Sequence, residues 1–254
     1  MFSLKDKRAV VTGAGSGIGK AVALLLASQG AHVYVLDINE AQALDTVKEI
    51  QDQGGQSSAH VADVSNQQQV VALFAALQGV DILVNSAGVS HVGTIETTGE
   101  ADFDRLYNVN VKGVYNCLYA AIPLMKKNKG GAIVNLSSIA AKVGLPDRFA
   151  YSMTKGAVHA MTLSVAKDYI NEKIRCNCIS PARVHTPFVD GFLKKNYPGK
   201  EEEMFEKLSK TQPIGRMAQP VEIAGLILYL CSEESSFITG CDYPIDGGFT
   251  TLNN

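Results

Sequence analysis

The amino-acid sequence predicts an α/β fold in which a mostly parallel β-sheet is covered by helices on both faces. Short apolar, β-branched runs alternate along the chain with longer segments whose apolar residues recur at helical spacing. Alternation of this kind is typical of parallel sheets whose strands are joined by right-handed helical crossovers. The length of 254 residues is enough for one large domain of this type.

Seven short extended runs are predicted to be strands, covering 8–12, 32–36, 59–62, 80–84, 132–136, 174–179 and 243–245. Between them, apolar residues three and four positions apart predict helices over 17–29, 39–53, 66–78 and about 101–127. The last of these is expected to be broken near Asn110. Two further helices are predicted to begin near Ala150 and Pro220, and the first of them carries apolar residues at helical spacing as far as Tyr169.

One compositional shift interrupts this pattern, in the segment from 187 to 212. It contains two prolines, two glycines and the charge run Lys200–Glu203, which is expected to be a solvated face. The segment is predicted to form two short helices inserted after the sixth strand. Because it follows a carboxyl-end loop, we expect it to act as a substrate lid. No linker or repeat divides the chain, so residues 1–254 are predicted to form a single domain.

Composition and charge narrow the possible functions. Hydrophobic residues make up 46% of the chain, charged residues 19%, and the formal net charge is -2, as expected for a soluble globular protein without a nucleic-acid or membrane partner. No apolar run approaches membrane-spanning length, and the first residues lead into a strand rather than a signal peptide. Five cysteines without metal-ligand spacing indicate free thiols in a reducing cytoplasm and no metal site.

A glycine-rich turn from Thr12 to Gly19 joins the first strand to the first helix. Its glycines have the spacing Gly-x-x-x-Gly-x-Gly rather than the more usual Gly-x-Gly-x-x-Gly. Glycines let the backbone turn tightly and approach an anion closely, and the unpaired N–H groups of a helix N-terminus attract phosphate. The turn therefore predicts a binding site for the pyrophosphate of a dinucleotide.

Asp37, at the end of the second strand, indicates which dinucleotide binds. It lies eighteen residues beyond Gly19, where a carboxylate accepts hydrogen bonds from an adenosine ribose and repels a 2′-phosphate. No arginine or lysine stands at 38 or 39 or within the glycine-rich turn. These features favour NAD over NADP. The same carboxylate is also placed to cap the following helix, and the two roles are compatible.

Tyr151 and Lys155 lie one turn apart on the same side of the helix that begins near Ala150. An ammonium close to a phenol favours the phenolate and lowers the phenol's pKa from about 10, so that the tyrosine can exchange a proton near neutral pH. Pairs of this kind are common on helices of any function. The rest of the chain decides whether this pair is catalytic.

Several further motifs occur in the order typical of one family. They are Thr12-Gly13 with Gly17-Ile18-Gly19, Asp63-Val64, Asn85-Ser86-Ala87-Gly88, Asn110, Ser137-Ser138, Tyr151-x-x-x-Lys155 and Asn177-x-Ile179-x-Pro181. In this set, which spans almost the whole chain, the sequence resembles a single-domain short-chain dehydrogenase/reductase. The resemblance implies a Rossmann-type, doubly wound, seven-stranded sheet of order 3-2-1-4-5-6-7. The sequence departs from the family's usual pattern at two positions. Ser86 stands where many members have asparagine, and Ala182 stands where glycine is usual.

The resemblance also implies a role for each matching residue. Tyr151 is the acid or base for the carbinol oxygen, Lys155 lowers its pKa and holds the nicotinamide ribose, and Ser138 donates a hydrogen bond to the substrate oxygen. Asn110 interrupts its helix and holds a water that links Lys155 to solvent. The residues expected to bind NAD are Gly13, Ser16, Gly17, Ile18, Gly19, Asp37, Ile38, Asp63, Val64, Asn85, Ala87, Gly88, Tyr151, Lys155, Pro181, Val184 and Thr186.

The substrate is less sharply defined. Contacts are expected from Ser138, Tyr151, Arg148, Arg183 and His185; Arg148 either reaches an anionic group such as a carboxylate or is a solvated arginine. The segment after 187 resembles that of family members acting on sugars, sugar acids and short hydroxy acids, so we expect interconversion of such a secondary alcohol and its ketone. The alternatives are reduction of 3-oxoacyl groups on acyl carrier protein, usually with NADPH, and a non-catalytic NAD-binding sensor or scaffold.

The resemblance further implies a homotetramer formed through the long helix around 111–125 and the Tyr151 helix. Both helices carry apolar residues that suit either the core or an interface, namely Leu118, Tyr119, Ile122, Val165 and Tyr169. Periodicity alone does not divide these residues between the two environments.

Overall fold

Seven parallel strands form one sheet in the predicted order β3-β2-β1-β4-β5-β6-β7. The computed structural model describes residues 1–252, apart from the side chains at 195 and 196, so the predicted extent of 1–254 includes two residues outside the description. The strands are β1 (Arg8–Thr12), β2 (His32–Asp37), β3 (Gln56–Val61), β4 (Ile82–Asn85), β5 (Gly131–Leu136), β6 (Ile174–Pro181) and β7 (Asp242–Ile245). Every neighbouring pair is parallel, so the sheet is wholly rather than mostly parallel.

The central strands are almost wholly apolar because helices cover both of their faces. β1, β4 and β5 are buried along nearly their whole length. The edge strand β3 differs, since it begins at Gln56, three residues before the predicted range of 59–62. A strand with one neighbour tolerates exposed polar residues, so its Gln-Ser-Ser opening does not show up as an apolar run. β6 likewise extends to Pro181, two residues beyond its predicted end.

Ten α-helices in the described part of the chain connect and flank the strands. They are α1 (Gly17–Ser28), α2 (Glu40–Asp52), α3 (Gln67–Ala76), α4 (Glu100–Leu106), α5 (Gly113–Lys127), α6 (Phe149–Asp168), α7 (Pro187–Asn196), α8 (Glu201–Ser209), α9 (Pro220–Cys231) and α10 (Phe249–Leu252). α2 and α3 begin where the side chains of Asn39 and Asn66 accept hydrogen bonds from backbone N–H groups of Gln42 and Gln69, at 3.1 Å in both cases. The predicted break in the long helix is confirmed, because Tyr107–Lys112 forms a π-helical stretch between α4 and α5.

Two apolar layers hold helices against opposite faces of the sheet. On one face, α1, α2 and α9 pack through side chains such as Leu26, Ile50 and Ile227, which are almost inaccessible to solvent. On the other face, α3, α5 and α6 pack with Phe74 and Met125 among the buried residues. Each such side chain stabilises the fold by about 1.5–3 kcal/mol relative to leaving it exposed. The arrangement is the doubly wound one expected from the sequence.

The connections that carry the predicted motifs meet at one edge of the sheet. The glycine-rich turn follows β1, Asp37 ends β2, and Ser138 follows β5. Because every strand runs in the same direction, their carboxyl ends share an edge, which is where ligands bind in open α/β sheets. The two short helices predicted for 187–212 are confirmed as α7 and α8, and they follow β6 at the same edge.

Within residues 1–252, no helix combines the length and apolar character needed to cross a membrane. In the same residues, no three histidine, cysteine, aspartate or glutamate side chains converge in a way that could hold a metal ion. The five cysteines are free thiols, and four of them are buried.

Candidate active site

Tyr151 lies in the first turn of α6. Arg148 precedes this helix, and its backbone forms a parallel bridge with Gly93 in the loop after β4. The N–H of Gly93 donates to the carbonyl oxygen of Asp147 at 2.9 Å, and the N–H of Phe149 donates to that of Gly93 at 3.2 Å. These contacts fix the start of α6, and with it the position of Tyr151, beside the loop that follows β4.

Lys155 lies one turn further along α6, with only 8% of its surface exposed. Its ammonium donates a hydrogen bond to the carbonyl oxygen of Leu136 at 2.8 Å, which ties the helix to the end of β5. The Nζ atom lies 5.7 Å from the ring centroid of Tyr151. Burial lowers the pKa of Lys155 to about 8, because the charged ammonium loses hydration. The cation is therefore beside the phenol as predicted, but it holds its proton less tightly than an exposed lysine.

Burial raises the pKa of Tyr151 above its ordinary value. A hydrogen bond from the hydroxyl of Ser138 and the positive charge of Arg148 act in the opposite direction without outweighing burial. The lowered pKa predicted from the Tyr151–Lys155 spacing is therefore wrong for this structure. The spacing brings the two side chains together, but it carries no information on how much hydration the phenol loses.

Ser138 follows the end of β5 and begins a short 3₁₀ helix. Its Oγ accepts a hydrogen bond from the backbone N–H of Ala140 at 3.2 Å, and the same hydroxyl reaches Tyr151. The hydroxyl of the preceding residue, Ser137, donates to the carbonyl oxygen of Lys155 at 3.1 Å. The two serines thus bind the end of β5 to α6 and bring Ser138, Tyr151 and Lys155 into one cluster, as the sequence predicts.

Asn110 lies in the π-helical stretch and is 1% exposed. Its Oδ1 accepts a hydrogen bond from the N–H of Val89 at 2.8 Å, and its Nδ2 donates to the carbonyl oxygen of Val89 at 2.9 Å. The Nδ2 also donates to the hydroxyl of Thr154, which lies between Tyr151 and Lys155 on α6, at 3.1 Å. Asn110 therefore links the turn after β4 to α6. The bound water implied by the family resemblance stays a prediction.

The glycine-rich turn presents a helix N-terminus without a side-chain cap. Ser16, which precedes α1, makes no capping hydrogen bond and the first turn carries no acid, whereas α2 and α3 are both capped. Gly13 and Gly17 have φ angles of 64° and 55°, a conformation that other residues rarely adopt. A Cβ atom at Gly13 would lie 2.8 Å from the Cα of Ala87, and one at Gly17 would lie 3.4 Å from the Cγ2 of Thr186. The turn thus lies close to the segments after β4 and β6, and its unpaired donors fit a pyrophosphate.

Ile18 and Gly19, also predicted to bind the cofactor, hold the turn in place. Ile18 is partly buried and packs against the core on the α1 side of the sheet. Gly19 is buried, and a Cβ atom there would collide with the carbonyl oxygen of Gly13. Glycine at this position therefore lets α1 pack directly on the turn that precedes it.

Asp37 fixes the glycine-rich turn to the end of β2. Its Oδ2 accepts a hydrogen bond from the N–H of Gly15 and its Oδ1 accepts one from the N–H of Asn39, both at 2.9 Å. A carboxylate has about four acceptor positions, so two remain for a ribose. Ile38, the next predicted cofactor residue, flanks this position with 69% of its surface exposed. The side chain that caps α2 is that of Asn39, so the predicted capping role of Asp37 is wrong.

Thr12 joins the glycine-rich turn to the turn after β4. Its Oγ1 accepts hydrogen bonds from the N–H groups of Ser86 and Ala87, both at 3.0 Å. In the same turn, a Cβ atom at Gly88 would lie 3.8 Å from the Nζ of Lys155. The predicted residues Ala87 and Gly88 therefore lie between the glycine-rich turn and α6.

Three other predicted cofactor residues are engaged mainly with the protein. The Nδ2 of Asn85 donates to the Oδ1 of Asn135 at 2.8 Å inside the sheet. The Oδ1 of Asp63 accepts a hydrogen bond from the N–H of Ser65 at 2.9 Å, and Val64 is buried. Their contacts are with neighbouring residues at the carboxyl ends of the strands. Of the three, only Asp63 is appreciably exposed to solvent.

The predicted residues after β6 lead into the two short helices. Pro181 ends the strand, and Val184 is buried with its backbone bridged to the segment that precedes α9. The Nε2 of His185 lies 2.9 Å from the Oδ1 of Asp190 in α7, and its ring packs edge-on against Phe205 of α8. The structure thus directs His185, a predicted substrate contact, toward the helices of the proposed lid.

Arg148 and Arg183, the other predicted substrate contacts, approach each other. Burial lowers the pKa of Arg183, and the positive charge of Arg148 lowers it further. The charge of Arg148 also acts on Tyr151, so Arg148 lies near both Arg183 and the phenol.

A family model described as enoyl-(acyl carrier protein) reductase matches residues 13–250. The chain is 39% identical to dehydrogenase/reductase SDR family member 6 of Xenopus laevis, over 98% of this chain and 100% of that protein. This chain belongs to the short-chain dehydrogenase/reductase family.

Other members of the short-chain dehydrogenase/reductase family resemble this chain to a similar degree. The 2-keto-3-deoxy-L-fuconate dehydrogenase of Xanthomonas campestris is 38% identical, over 97% of this chain and 81% of that protein. A gluconate 5-dehydrogenase from Burkholderia cenocepacia, solved in complex with NADP and tartrate, has a TM-score of 0.91. Its sequence is 31% identical, and the match covers 99% of this chain and 98% of the other.

Some contacts in this short-chain dehydrogenase/reductase are not among the predicted site residues. Thr154 supports Asn110, Thr12 supports the turn after β4, and the carbonyl oxygen of Leu136 holds Lys155. A threonine placed between Tyr151 and Lys155 on one helix is a signal that could have pointed to Thr154. A backbone carbonyl leaves no signal of this kind in a sequence.

Proposed function

We propose that this protein is an NAD-dependent oxidoreductase that interconverts a secondary alcohol and a ketone, with Tyr151 as acid or base. The observation that carries the proposal is the cluster of Ser138, Tyr151 and buried Lys155 at the sheet edge that also presents the uncapped N-terminus of α1. A nicotinamide dinucleotide supplies hydride transfer to or from the substrate carbon when bound. The chain must supply the proton on the substrate oxygen.

In the direction of reduction, the Tyr151 hydroxyl gives its proton to the carbonyl oxygen. Its raised pKa keeps the phenol protonated at neutral pH, so this direction needs no prior ionisation. The hydroxyl of Ser138, already hydrogen-bonded to Tyr151, holds the substrate oxygen and stabilises charge that develops there. In the direction of oxidation, Tyr151 must first lose its proton. The positive charge of Arg148 stabilises the phenolate, and Lys155 adds to this below about pH 8, where it keeps its own proton.

The proposed preference for NAD depends on Asp37. The related gluconate 5-dehydrogenase was solved with NADP, so a preference for NAD depends on residues particular to this chain. Asp37 retains acceptor positions for a ribose, and its charge opposes a 2′-phosphate. Neither position 38 nor position 39 offers a cation to bind such a phosphate.

We expect the wild-type enzyme to use NADH over NADPH by about 10²-fold in kcat/KM, since placing like charges together at an interface costs several kcal/mol. Asp37→Ser removes the carboxylate and should reduce the preference to less than about tenfold. Asp45→Ser, an exposed acid on α2, should leave the ratio unchanged. Steady-state rates with both coenzymes and one substrate measure this ratio, and a wild-type preference for NADPH contradicts the assignment.

The proposed substrate is a sugar, a sugar acid or a short hydroxy acid. Two relatives named for such substrates, the 2-keto-3-deoxy-L-fuconate dehydrogenase and the gluconate 5-dehydrogenase, support this class. Reduction of 3-oxoacyl groups with NADPH is the main alternative, and Asp37 argues against it. The intact cluster of Ser138, Tyr151 and Lys155 argues against a sensor, which needs no proton donor. A panel of secondary alcohols, aldoses and hydroxy acids assayed with NAD, read as absorbance of the reduced coenzyme, decides among these.

We also propose a homotetramer, supported by exposed aromatic residues near and on α5. Tyr107, Tyr115 and Tyr119 are each about half exposed, and the rings of Tyr115 and Tyr119 contact each other in a tilted arrangement with centroids 6.0 Å apart. Leu118 and Ile122 are buried in the core instead, so within the predicted set it is Tyr119 that offers its side chain to a partner. An exposed patch of large aromatic residues is typical of an interface.

Light scattering should give a mass close to four subunits for the wild-type protein. Tyr115→Arg combined with Tyr119→Arg places charge in the patch and should reduce that mass at least to a dimer. Leu44→Arg, at a half-exposed apolar residue on α2, is the matched control and should leave the mass unchanged. A wild-type mass near one subunit contradicts the proposal.

A further inference from the structure

Two half-buried arginines beside Tyr151 have no acidic partner. Arg148 precedes α6, and Arg183 follows the end of β6. Among the described residues, neither forms an ion pair with a carboxylate, whereas Arg105 and Arg216 pair with Asp102 and Glu222. A partly desolvated guanidinium is usually compensated by an acid or by several hydrogen bonds. The site therefore carries two positive charges that the described chain does not neutralise.

The head group of Arg148 is held by one nitrogen. Its Nη1 donates to the Oγ of Ser90 at 3.4 Å and to the carbonyl oxygen of His91 at 3.2 Å, both in the loop after β4. A guanidinium has five N–H donors arranged as a planar fork. Within the described residues the other nitrogens of Arg148 have no hydrogen-bond partner, so donors remain for a ligand.

Arg183 is held by the segment that follows α8. Its Nε donates to the hydroxyl of Thr211 at 3.1 Å, and its backbone N–H donates to the Oε1 of Gln212 at 2.7 Å. Tyr197, which follows α7, is close enough to act electrostatically on the guanidinium. Both η nitrogens are without a hydrogen-bond partner in the part of the chain that the structure describes. Arg183 thus extends from the base of the proposed lid with its terminal donors unused.

The two guanidinium groups are close enough for each to feel the charge of the other, and Arg148 is likewise close to Tyr151. Keeping two cations together in a partly buried site costs free energy, which a bound anion offsets. A carboxylate accepts bidentate hydrogen bonds from arginine, and two arginines on different elements can grip one carboxylate from two sides. A neutral sugar or alcohol offers no such compensation.

We propose that Arg148 and Arg183 form a clamp for a carboxylate of the substrate, which makes the substrate a hydroxy acid or sugar acid rather than a neutral sugar or alcohol. This inference rests on the proposed function, because it names the substrate class of the same site. Arg148 is anchored to the loop after β4, and Arg183 is anchored to the segment after α8.

The kinetic test compares acids with neutral analogues of similar shape. Lactate, 3-hydroxybutyrate and gluconate are assayed with NAD against methyl lactate, methyl 3-hydroxybutyrate and sorbitol, with the wild type, Arg148→Gln, Arg183→Gln and Arg183→Lys. We expect the wild type to prefer the acids, and each glutamine variant to lose about 10²-fold in kcat/KM for them, mainly through KM. Turnover of the neutral analogues by Arg183→Gln should change by less than about threefold. Arg148→Gln also removes a cation that acts on Tyr151, so it should slow the neutral analogues as well, but by much less than it slows the acids. Arg183→Lys should recover part of the loss for the acids because it restores the charge without the planar fork of donors.

Arg8→Gln is the matched control, since Arg8 begins β1 at the opposite edge of the sheet. It should leave both substrate sets unaffected. Equal losses for acids and neutral analogues in the Arg148 and Arg183 variants would overturn the clamp, as would a wild type that prefers the neutral set.

A binding measurement separates failure of the clamp from failure of the proposed function. Tartrate serves as a carboxylate probe and threitol as its neutral counterpart, each titrated into the full-length protein with NADH present and followed by NADH fluorescence and thermal shift. We expect tartrate to bind the wild type and Arg8→Gln at least tenfold more tightly than either glutamine variant, with no effect of threitol. If no substrate is turned over but tartrate binding depends on both arginines, the proposed chemistry fails and the clamp stands. If tartrate binds all variants equally or none, the clamp fails.

Discussion

Tyr151→Phe is expected to lower kcat by about 10²–10⁴-fold, the usual contribution of general acid–base catalysis, while the dissociation constant for NADH stays unchanged. The substitution removes one hydroxyl from a ring that is held by the start of α6, and it leaves the uncapped N-terminus of α1 and the carboxylate of Asp37 intact. Stopped-flow or steady-state assays give kcat, and fluorescence titration gives NADH affinity. A variant with ordinary turnover would remove Tyr151 from the mechanism.

The pH dependence of the wild type adds a check on the same residue. Since burial raises the pKa of Tyr151, the phenol is protonated at neutral pH and is ready to act as an acid. Reduction should therefore be insensitive to pH around neutrality, and oxidation should become faster as pH rises. Tyr229→Phe is the matched control, because its ring packs against Phe2 near the start of the chain. It should retain wild-type rates in both directions.

Lys155→Met is expected to lower kcat/KM by about 10²-fold or more, because removing one electrostatic contact to a reacting group commonly has this effect. The same substitution should also change stability, and the variant should compare more favourably with the wild type at neutral pH than in alkaline solution. Burial lowers the pKa of Lys155 from 10.5 to about 8 in the folded state. Between these values the unfolded chain binds more protons than the folded one, so wild-type stability rises with pH through this range. Below about pH 8 the buried ammonium is charged and costs the fold roughly 3 kcal/mol relative to an unshifted lysine.

Methionine carries no such cost, although it leaves the carbonyl oxygen of Leu136 without its hydrogen bond. The free energy of unfolding of the variant minus that of the wild type should therefore fall by roughly 2–3 kcal/mol between pH 7 and pH 10. Urea unfolding of both proteins at the two pH values measures this difference. The contributions of the other titrating groups cancel because both proteins contain them. Lys167→Met, at an exposed position of the same helix, should show no such dependence. A pH-independent difference for Lys155→Met contradicts the lowered pKa.

The sequence predicts the architecture well because the fold leaves local signals. The buried central strands appear as apolar runs, and the break at Asn110 is visible before the π-helical stretch is seen. The edge strand β3 is predicted three residues short because its exposed polar residues follow no apolar pattern. Strand boundaries of this kind depend on which neighbours a strand finds, and that is decided by the whole sheet.

At the candidate site, the sequence predicts which side chains come together better than it predicts their pKa values. The motifs place Ser138, Tyr151 and Lys155 together, and the structure does the same. The sign of the pKa shift of Tyr151 is mispredicted, because hydration is lost through packing by residues distant in the chain. The proximity of Arg148 and Arg183 arises in the same way, since the two residues are thirty-five positions apart and meet only through the sheet edge.

The missing cap on α1 has a consequence for the protein in the cell. Helices α2 and α3 are capped by asparagine side chains, whereas Ser16 makes no capping hydrogen bond to the first turn of α1. Under the proposed function, the coenzyme's phosphates complete that turn, so coenzyme and folding are thermodynamically linked. Resistance to heat and proteolysis then follows the supply of free dinucleotide, rising by RT ln(1 + [L]/Kd), which is about 2.7 kcal/mol at a hundredfold excess over Kd. A fall in the coenzyme pool thereby shortens the lifetime of the protein that binds it.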